Sequence, residues 1–508
     1  MNETWIRGLT GLALMTGVVA CNTSDITTAN RNPNNPTTSP SGALFTSATA
    51  ASVRRWVGFG GAAIITQQLA NTTYPTADSY ISLQADGTSG TFNGAYTNDL
   101  ADFRQVVLQG KAAGQAGVYG PALVMQTWEF SYLTDQWGDV PYSEAAKADS
   151  GIVTPKYDAQ KDIYAGFFVT LDEAAAAMAA ATPGAPGLGA ADPIYGGDIA
   201  KWRRFGNSLH ARYALRLVNV DPATADAELK AAFADVGGVL QSNADNAKLV
   251  WPGDGVSDNP FADNLKQRDD ARLARTMTSL MTNDPRIRVY GQPVVDSSAY
   301  PGGYGGMPAA LTQDSANAWY RKASRPGTIF YPGVTSYGTF GTSAGLATPS
   351  YLMTYAELMF IKAEAAERGL GGVPHGEAAT DYYNAIQASM EQWGVTDAAA
   401  ISAFLADPAI VYKGGVEGLK QIATQKWIAL FSDDAQAWAE WRRTCQPANV
   451  IPGPNTIVPY IPRRYYYSTT EASVNAANLN AAIARQGPDD FGTRIYWDTK
   501  PTNAPTCQ

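Results

Sequence analysis

From residue 41 onward, apolar side chains recur at the three-to-four-residue spacing of an amphipathic helix, and that period predicts a mainly α fold. Over residues 91–107 the stripe is Phe92, Tyr96, Leu100, Phe103 and Val107. Over 200–218 it is Trp202, Phe205, Leu209, Tyr213 and Leu217, with the arginines largely on the opposite side. Residues 41–56, 122–137 and 162–180 follow the same pattern, the last ending before Pro183. Late in the chain the helices come in pairs. Thr348-Pro349 offers an N-cap and a first-turn proline ahead of 351–368, and Gly369 fits the left-handed position that closes a helix. A partner over 377–393 ends before Gly394, so the two form an antiparallel hairpin, the unit of tetratricopeptide-like repeats, although no strict sequence period accompanies it. Residues 419–431 and 434–443 make one more pair. Between 219 and 350, Gly, Pro, Asn and aromatic residues break the period, predicting loops and short strands, where function tends to sit.

The N-terminus predicts export. Arg7 precedes an apolar stretch over 9–20 that is too short to span a bilayer, although Glu3 dilutes the charge. Val18-Val19-Ala20-Cys21 has the small-residue pattern of a bacterial lipoprotein signal; the alternative is an ordinary secretory peptide with a chance cysteine. On the lipoprotein reading, residues 1–20 are a signal peptide and Cys21 is acylated, and several acyl chains hold a protein at a membrane far more firmly than one. Residues 21–41 are then a tether. Their Asn32-Pro33-Asn34-Asn35-Pro36 run and scarcity of apolar side chains keep them out of any core, leaving 42–508 as the body. The remaining cysteines, Cys445 and Cys507, either pair in an oxidising compartment or stand as independent small residues.

Charge and motif chemistry narrow the function. The chain has 508 residues and a net charge of -9, which argues against nucleic acid or anionic lipid as the main partner. Aromatic residues make up 11%, including 26 Tyr and 12 Trp, enough to supply a core and a binding surface. Catalytic patterns fail one by one. His210 lies in a helix and reads as structural or surface, and His375 reads as a loop residue. No His/Cys/Glu cluster has zinc spacing, and no cofactor or metal is expected. Gly341-Thr342-Ser343-Ala344-Gly345 matches a nucleophile elbow in letters but sits in a loop with Pro349 close behind. Gly58-Phe59-Gly60-Gly61-Ala62-Ala63 lacks the βαβ context of a dinucleotide turn.

Several segments together resemble the SusD/RagB family. They include 132–145 (YLTDQWGDVPYSEA), Pro155-Lys156-Tyr157-Asp158, Asp192-Pro193-Ile194-Tyr195-Gly196-Gly197-Asp198 with Lys201-Trp202, and Asn283-Asp284-Pro285-Arg286. Tyr355-Ala356-Glu357-Leu358, Lys362-Ala363-Glu364-Ala365, 425–431, 437–443, Pro462-Arg463-Arg464 and Ala484-Arg485-Gln486-Gly487 follow in order. Most of these residues also have a structural reading. Asp139 caps amides at a helix exit, Trp202, Trp427 and Trp438 sit at core spacing, and Glu357 and Glu364 buttress helix packing.

The resemblance implies a mainly α, SusD-like fold with tetratricopeptide-like hairpins and an irregular, loop-rich ligand side. It implies a non-catalytic outer-membrane lipoprotein at the cell surface. Such a protein binds a glycan or other nutrient and works with a SusC-like TonB-dependent transporter. Only Asp25 is charged just after Cys21, whereas surface-export signals are often acidic there. A periplasmic solute-binding lipoprotein would show alternating βαβ patterns, which are absent; a carbohydrate-active hydrolase would share the sugar-binding aromatics. The resemblance places ligand contacts in an early and a central loop region, though no motif fixes positions. In this chain those regions carry Tyr74, Asp78, Tyr80 and Asn93, and Tyr300, Tyr304, Trp319, Tyr320 and Tyr331, with Trp319, Tyr304 and Tyr80 the leading candidates. The glycines around Tyr304 are expected to leave its ring uncovered on a mobile backbone.

Overall fold

Twelve helices of ten or more residues dominate the described residues: α1 Ser41–Trp56, α2 Ala85–Gly94, α3 Leu100–Ala112, α4 Ala116–Trp137, α5 Gln160–Ala179, α6 Ile199–Arg216, α7 Pro222–Ala234, α8 Tyr355–Arg368, α9 Ala378–Gln392, α10 Gly415–Ala429, α11 Asp434–Thr444 and α12 Ala476–Gln486. The computed structural model describes residues 39–500 except 182, 183, 185, 267, 332, 333, 337, 338 and 341–344, with backbone alone at 334–336, 339 and 340. The Cys21 lipobox, the tether up to Thr38, Cys507 and all but Gly345 of the elbow-like motif lie outside the described residues. From α3 to α7 each helix packs on the next; α8 then packs on α9, α10 and α6. Strands are short and two-stranded among the described residues. No described helix is long and apolar enough to cross a membrane.

Local chemistry explains the helix boundaries. The Asp198 carboxylate accepts from Lys201 N at 3.1 Å and starts α6. Asp221 accepts from Thr224 N at 3.1 Å and, with Pro222 in the first turn, starts α7. That helix lies inside the stretch expected to hold loops, and its Asp-Pro start was visible in the sequence. The start of α8 also differs from expectation. Residues 350–353 form a strand paired with Ala247–Leu249, and Thr354 rather than Thr348 caps the helix, accepting from Glu357 N at 3.1 Å. The short buried run Ser350-Tyr351-Leu352-Met353 fits a strand as well as a helix turn. Gly369 closes α8 at φ +68° as expected. Gly58-Phe59-Gly60-Gly61 leads from α1 into a five-residue helix, with no strand before it.

Packing explains the late motifs. Trp202, Trp427 and Trp438 are fully buried. Two arginines of α6 depart from the expected solvent face: Arg212 and Arg216 are each 1% exposed. Arg212 Nε donates to Glu357 Oε1 at 2.8 Å, and Arg216 lies 3.6 Å from Glu440 Oε1. Arg443 grips Glu364 with two bonds of 2.7 and 2.6 Å and donates to Glu440 at 2.7 Å, while Lys426 Nζ sits 3.2 Å from Glu440. These groups tie α6, α8, α10 and α11 together. His210 is buried too, stacked on Phe168 at 5.0 Å with its Nε2 2.7 Å from Glu228. Cys445 is disulfide-bonded.

Burial pushes the Glu364 carboxyl up, but Arg443 wins and holds it at about 2, below the ordinary 4.5. A carboxyl depressed by folding stabilises above its unfolded value and loses that contribution as pH falls through the folded one. Glu364→Gln should therefore destabilise the protein at pH 7 by about 3–5 kcal/mol, because Arg443 stays buried with one carboxylate fewer. The gap to wild type in urea unfolding should narrow between pH 4.5 and pH 2. A gap that is constant with pH would contradict this.

Candidate functional site

Main-chain pairing brings the early and central loop regions together. Leu69–Asn71 runs antiparallel to Ala271–Leu273, with Leu69 opposite Leu273 and Asn71 opposite Ala271. Thr72 N donates to Asp270 O at 2.9 Å and Ala274 N to Gln68 O at 3.1 Å, extending the ladder at both ends. Residues about two hundred positions apart thus start their loops from one short ribbon.

The central loop is then folded around Asp269. Its carboxylate accepts from Arg272 at 3.0 Å, from Arg325 at 2.6 and 2.5 Å, from Tyr320 Oη at 2.8 Å and from Tyr331 Oη at 3.0 Å. Burial pushes this carboxyl up, yet the Arg325 bonds and the Arg272 charge hold it below the usual range. Arg272 also lies over the Tyr320 ring, 4.7 Å from its centroid. Tyr320 and Tyr331 thus have their hydroxyls committed to the loop's own scaffold.

Three of the sequence candidates line one cleft. Trp319 rests on a small apolar cluster that includes Ala70, Ala274 and Met307. The Arg275 guanidinium lies over it at 5.1 Å, and the Tyr300 ring is 6.2 Å away, tilted by 47°. Tyr300, Tyr304, Trp319 and Arg275, with Thr278 and Ser279 among the other walls, enclose about 660 Å³. Rings with hydroxyls and a guanidinium between them can cover the C–H face of a flat polar ligand while bonding its edge groups. The glycines near Tyr304 serve another purpose than expected. A Cβ on Gly305 would fall 1.8 Å from the Tyr300 ring and one on Gly306 2.3 Å from Ala274 O, so these two allow close packing. Tyr300 Oη is fixed on Gly306 O at 2.6 Å.

The early-region candidates stand apart from this cleft. Tyr80 is 2% exposed and packs edge-on against Phe491, so neither face is open to a ligand. Asp78 is also buried; loss of solvent lifts its carboxyl to about 7, and it accepts from Asn71 N at 3.2 Å. Asn93 bonds Thr470 and Ser468 at 3.0 and 2.9 Å, tying α2 to the C-terminal region. Tyr74 is exposed, with Arg268 over its ring at 5.0 Å. Sequence reasoning missed Arg275, Thr278 and Ser279: they follow a strand too short to leave a period, and only the ribbon puts them across from Trp319.

Asp269→Ala should loosen the central loop selectively. Amide exchange should quicken over residues 319–326 while α8 to α11 keep their protection. A uniform rise, or no change, would show that Asp269 does not organise this loop.

Comparison with known proteins places the chain among similar ones. A family profile, SusD-like and described as starch-binding and associating with the outer membrane, matches residues 33–468. No curated protein matches the sequence. Among solved structures, a chitin-binding protein is 26% identical with a TM-score of 0.76, covering 91% of this chain and 100% of that one. A chitin-binding SusD homologue from Flavobacterium johnsoniae is 25% identical, with a TM-score of 0.72 and coverage of 91% and 99%. A SusD homologue from Bacteroides uniformis, 24% identical with a TM-score of 0.75 and coverage of 91% and 100%, shares the fold.

Proposed function

The chain belongs to the SusD-like family of starch-binding proteins that associate with the outer membrane, and from that premise we propose that it is a lipid-anchored surface protein that captures a glycan and hands it to a SusC-like TonB-dependent transporter. One observation carries the ligand reading: Trp319, Tyr300 and Tyr304 converge with Arg275 on one cleft of about 660 Å³. Two structural relatives of similar fold are described as chitin-binding, which makes chitin oligosaccharides the first ligands to try. The role is capture without covalent chemistry.

In titration calorimetry against chitin and starch oligosaccharides, Trp319→Ala and Tyr304→Ala should each weaken binding by about 1–3 kcal/mol, as for other aromatic anchors. Trp319→Ala, which uncovers Ala70, Ala274 and Met307, should also lower thermal stability, so the folded fraction of each variant is measured beside its affinity. Mass spectrometry should recover the oligosaccharides intact. If both variants bind like wild type, the cleft is not the site; shortened products would favour a hydrolase.

The anchor and partner rest on the Val18-Val19-Ala20-Cys21 pattern and on the family's description. Purification of the protein from its native outer membrane in mild detergent should bring a TonB-dependent transporter in near-equal amount. Cys21→Ser should move the folded protein to the soluble fraction. Recovery of the protein alone counts against the partner, and membrane retention of the variant after a carbonate wash counts against the lipid.

A further inference from the structure

A second cavity shares no lining residue with the Trp319 cleft. It holds about 280 Å³ and opens beside the loop that joins α1 to the Gly61–Ile65 helix. Ligand pockets begin at about 300 Å³, so this one suits a single small unit rather than a chain. Its walls include Trp56, Tyr465, Thr88 and Gln136, each mostly buried, and Arg54 and Asn264 on the exposed side.

The cavity is held open by rigid parts. Asp434 accepts from Gly60 N at 2.6 Å and from Ala63 N at 2.9 Å, which fixes the loop's backbone. Phe59 is wedged between Phe261 and Phe431, at 4.4 and 4.5 Å. No room exists for a side chain at Gly61, whose Cβ would meet Leu83 at 2.6 Å and Tyr465 Oη at 2.9 Å. Its cations are already matched. Arg55 pairs with Asp99 at 2.9 Å and Arg54 lies 3.8 Å from Asp263, so the site carries no excess charge to draw an anion.

Two polar side chains of the wall, besides the Trp56 indole, have an unmet need. Thr88 Oγ1 and Gln136 Nε2 are buried polar atoms without a hydrogen-bond partner among the described residues. A buried donor left unpaired costs roughly 1–3 kcal/mol, and such groups call for a ligand or an ordered water. The mouth also connects to a sequence candidate that the Trp319 cleft leaves out. Asn264 Oδ1 accepts from Arg268 at 3.3 Å, and the same guanidinium covers the exposed ring of Tyr74.

We propose that this cavity is a second saccharide site that takes one neutral sugar unit. Thr88 and Gln136 supply its polar contacts, beside the mostly buried Trp56 and Tyr465. The inference rests on the glycan-binding reading above.

The test is calorimetry and saturation-transfer NMR of the full mature protein with D-glucose, N-acetyl-D-glucosamine and chitin and starch oligosaccharides. Gln136→Leu and Thr88→Val change polarity with little change in volume. Gln136→Leu should unfold no earlier than wild type, since it removes an unpaired buried amide. Each should weaken monosaccharide binding about tenfold or more, as expected when one buried hydrogen bond to the sugar is removed. Trp319→Ala should weaken the oligosaccharides more than the monosaccharides, because the cleft has room for several sugar units and the cavity for one. If the cavity variants bind monosaccharide like wild type, or if only oligosaccharides bind and Trp319→Ala removes that binding, the cavity holds water alone; the second-site inference falls while the glycan reading stands. If wild type binds none of these saccharides, the glycan reading falls and the second site falls with it.

Discussion

Four cations, Arg212, Arg216, Lys426 and Arg443, are sealed inside the helical body beside four carboxylates, Glu357, Glu364, Glu440 and Asp135. Removing such charges from water is expensive, and their attraction repays the cost only when geometry is good and bonds are complete. Here the two-bond grip of Arg443 on Glu364 supplies that geometry. Burial pushes the Lys426 ammonium toward its neutral form while Glu440 opposes the shift. Because the partners come from different helices, α6, α8, α10 and α11 can be buried together in only one register. An apolar interface would tolerate sliding that this arrangement forbids.

The same device recurs at smaller scale where loops meet helices. Arg286 takes Asp284 from its own turn and reaches Gln425 of α10 at 2.6 Å. Asp192 accepts from the amides of Ile194 and Gly197 and from the Trp202 indole at 2.6 Å, which docks a turn onto α6. Asp139, at the exit of α4, accepts from Gln160 N at 2.8 Å and from Arg485 at 2.6 Å. The blocks that carry the family likeness are thus mostly pins that hold connecting segments on the helical body. They identify the fold and say little about the ligand.

The ligand side is organised by a hub of its own. Asp269 draws two arginines and two tyrosine hydroxyls inward, which leaves Trp319, Tyr300 and Tyr304 as the rings on the cleft wall. Tyr320 and Tyr331 have the same composition signal as Tyr300 and Tyr304, and their roles separate only by what their hydroxyls reach. Cleft and frame meet at the Leu69–Asn71 ribbon, so the site's precision depends on strands of three residues each.

Sequence alone determined the helical body and its family. The three-to-four-residue period survives without any partner because burying one face of a helix is a local pattern. Caps act within four residues, so Asp221-Pro222 at the start of α7 and Thr354 at the start of α8 are local signals that the expectation of loops and of a Thr348 cap passes over, whereas Gly369 is the expected stop. Tertiary structure decided the rest. Arg212 and Arg216 lie on what looks like a polar face and are buried because acidic partners arrive from helices far along the chain. The 350–353 run became a strand because Ala247–Leu249 lies beside it. Tyr80 and Tyr304 are both tyrosines in Gly- and Ser-rich surroundings; one is sealed against Phe491 and the other lines a cleft. A binding wall is a set of long-range proximities, and these are fixed by packing, which leaves no period and no spacing in the sequence.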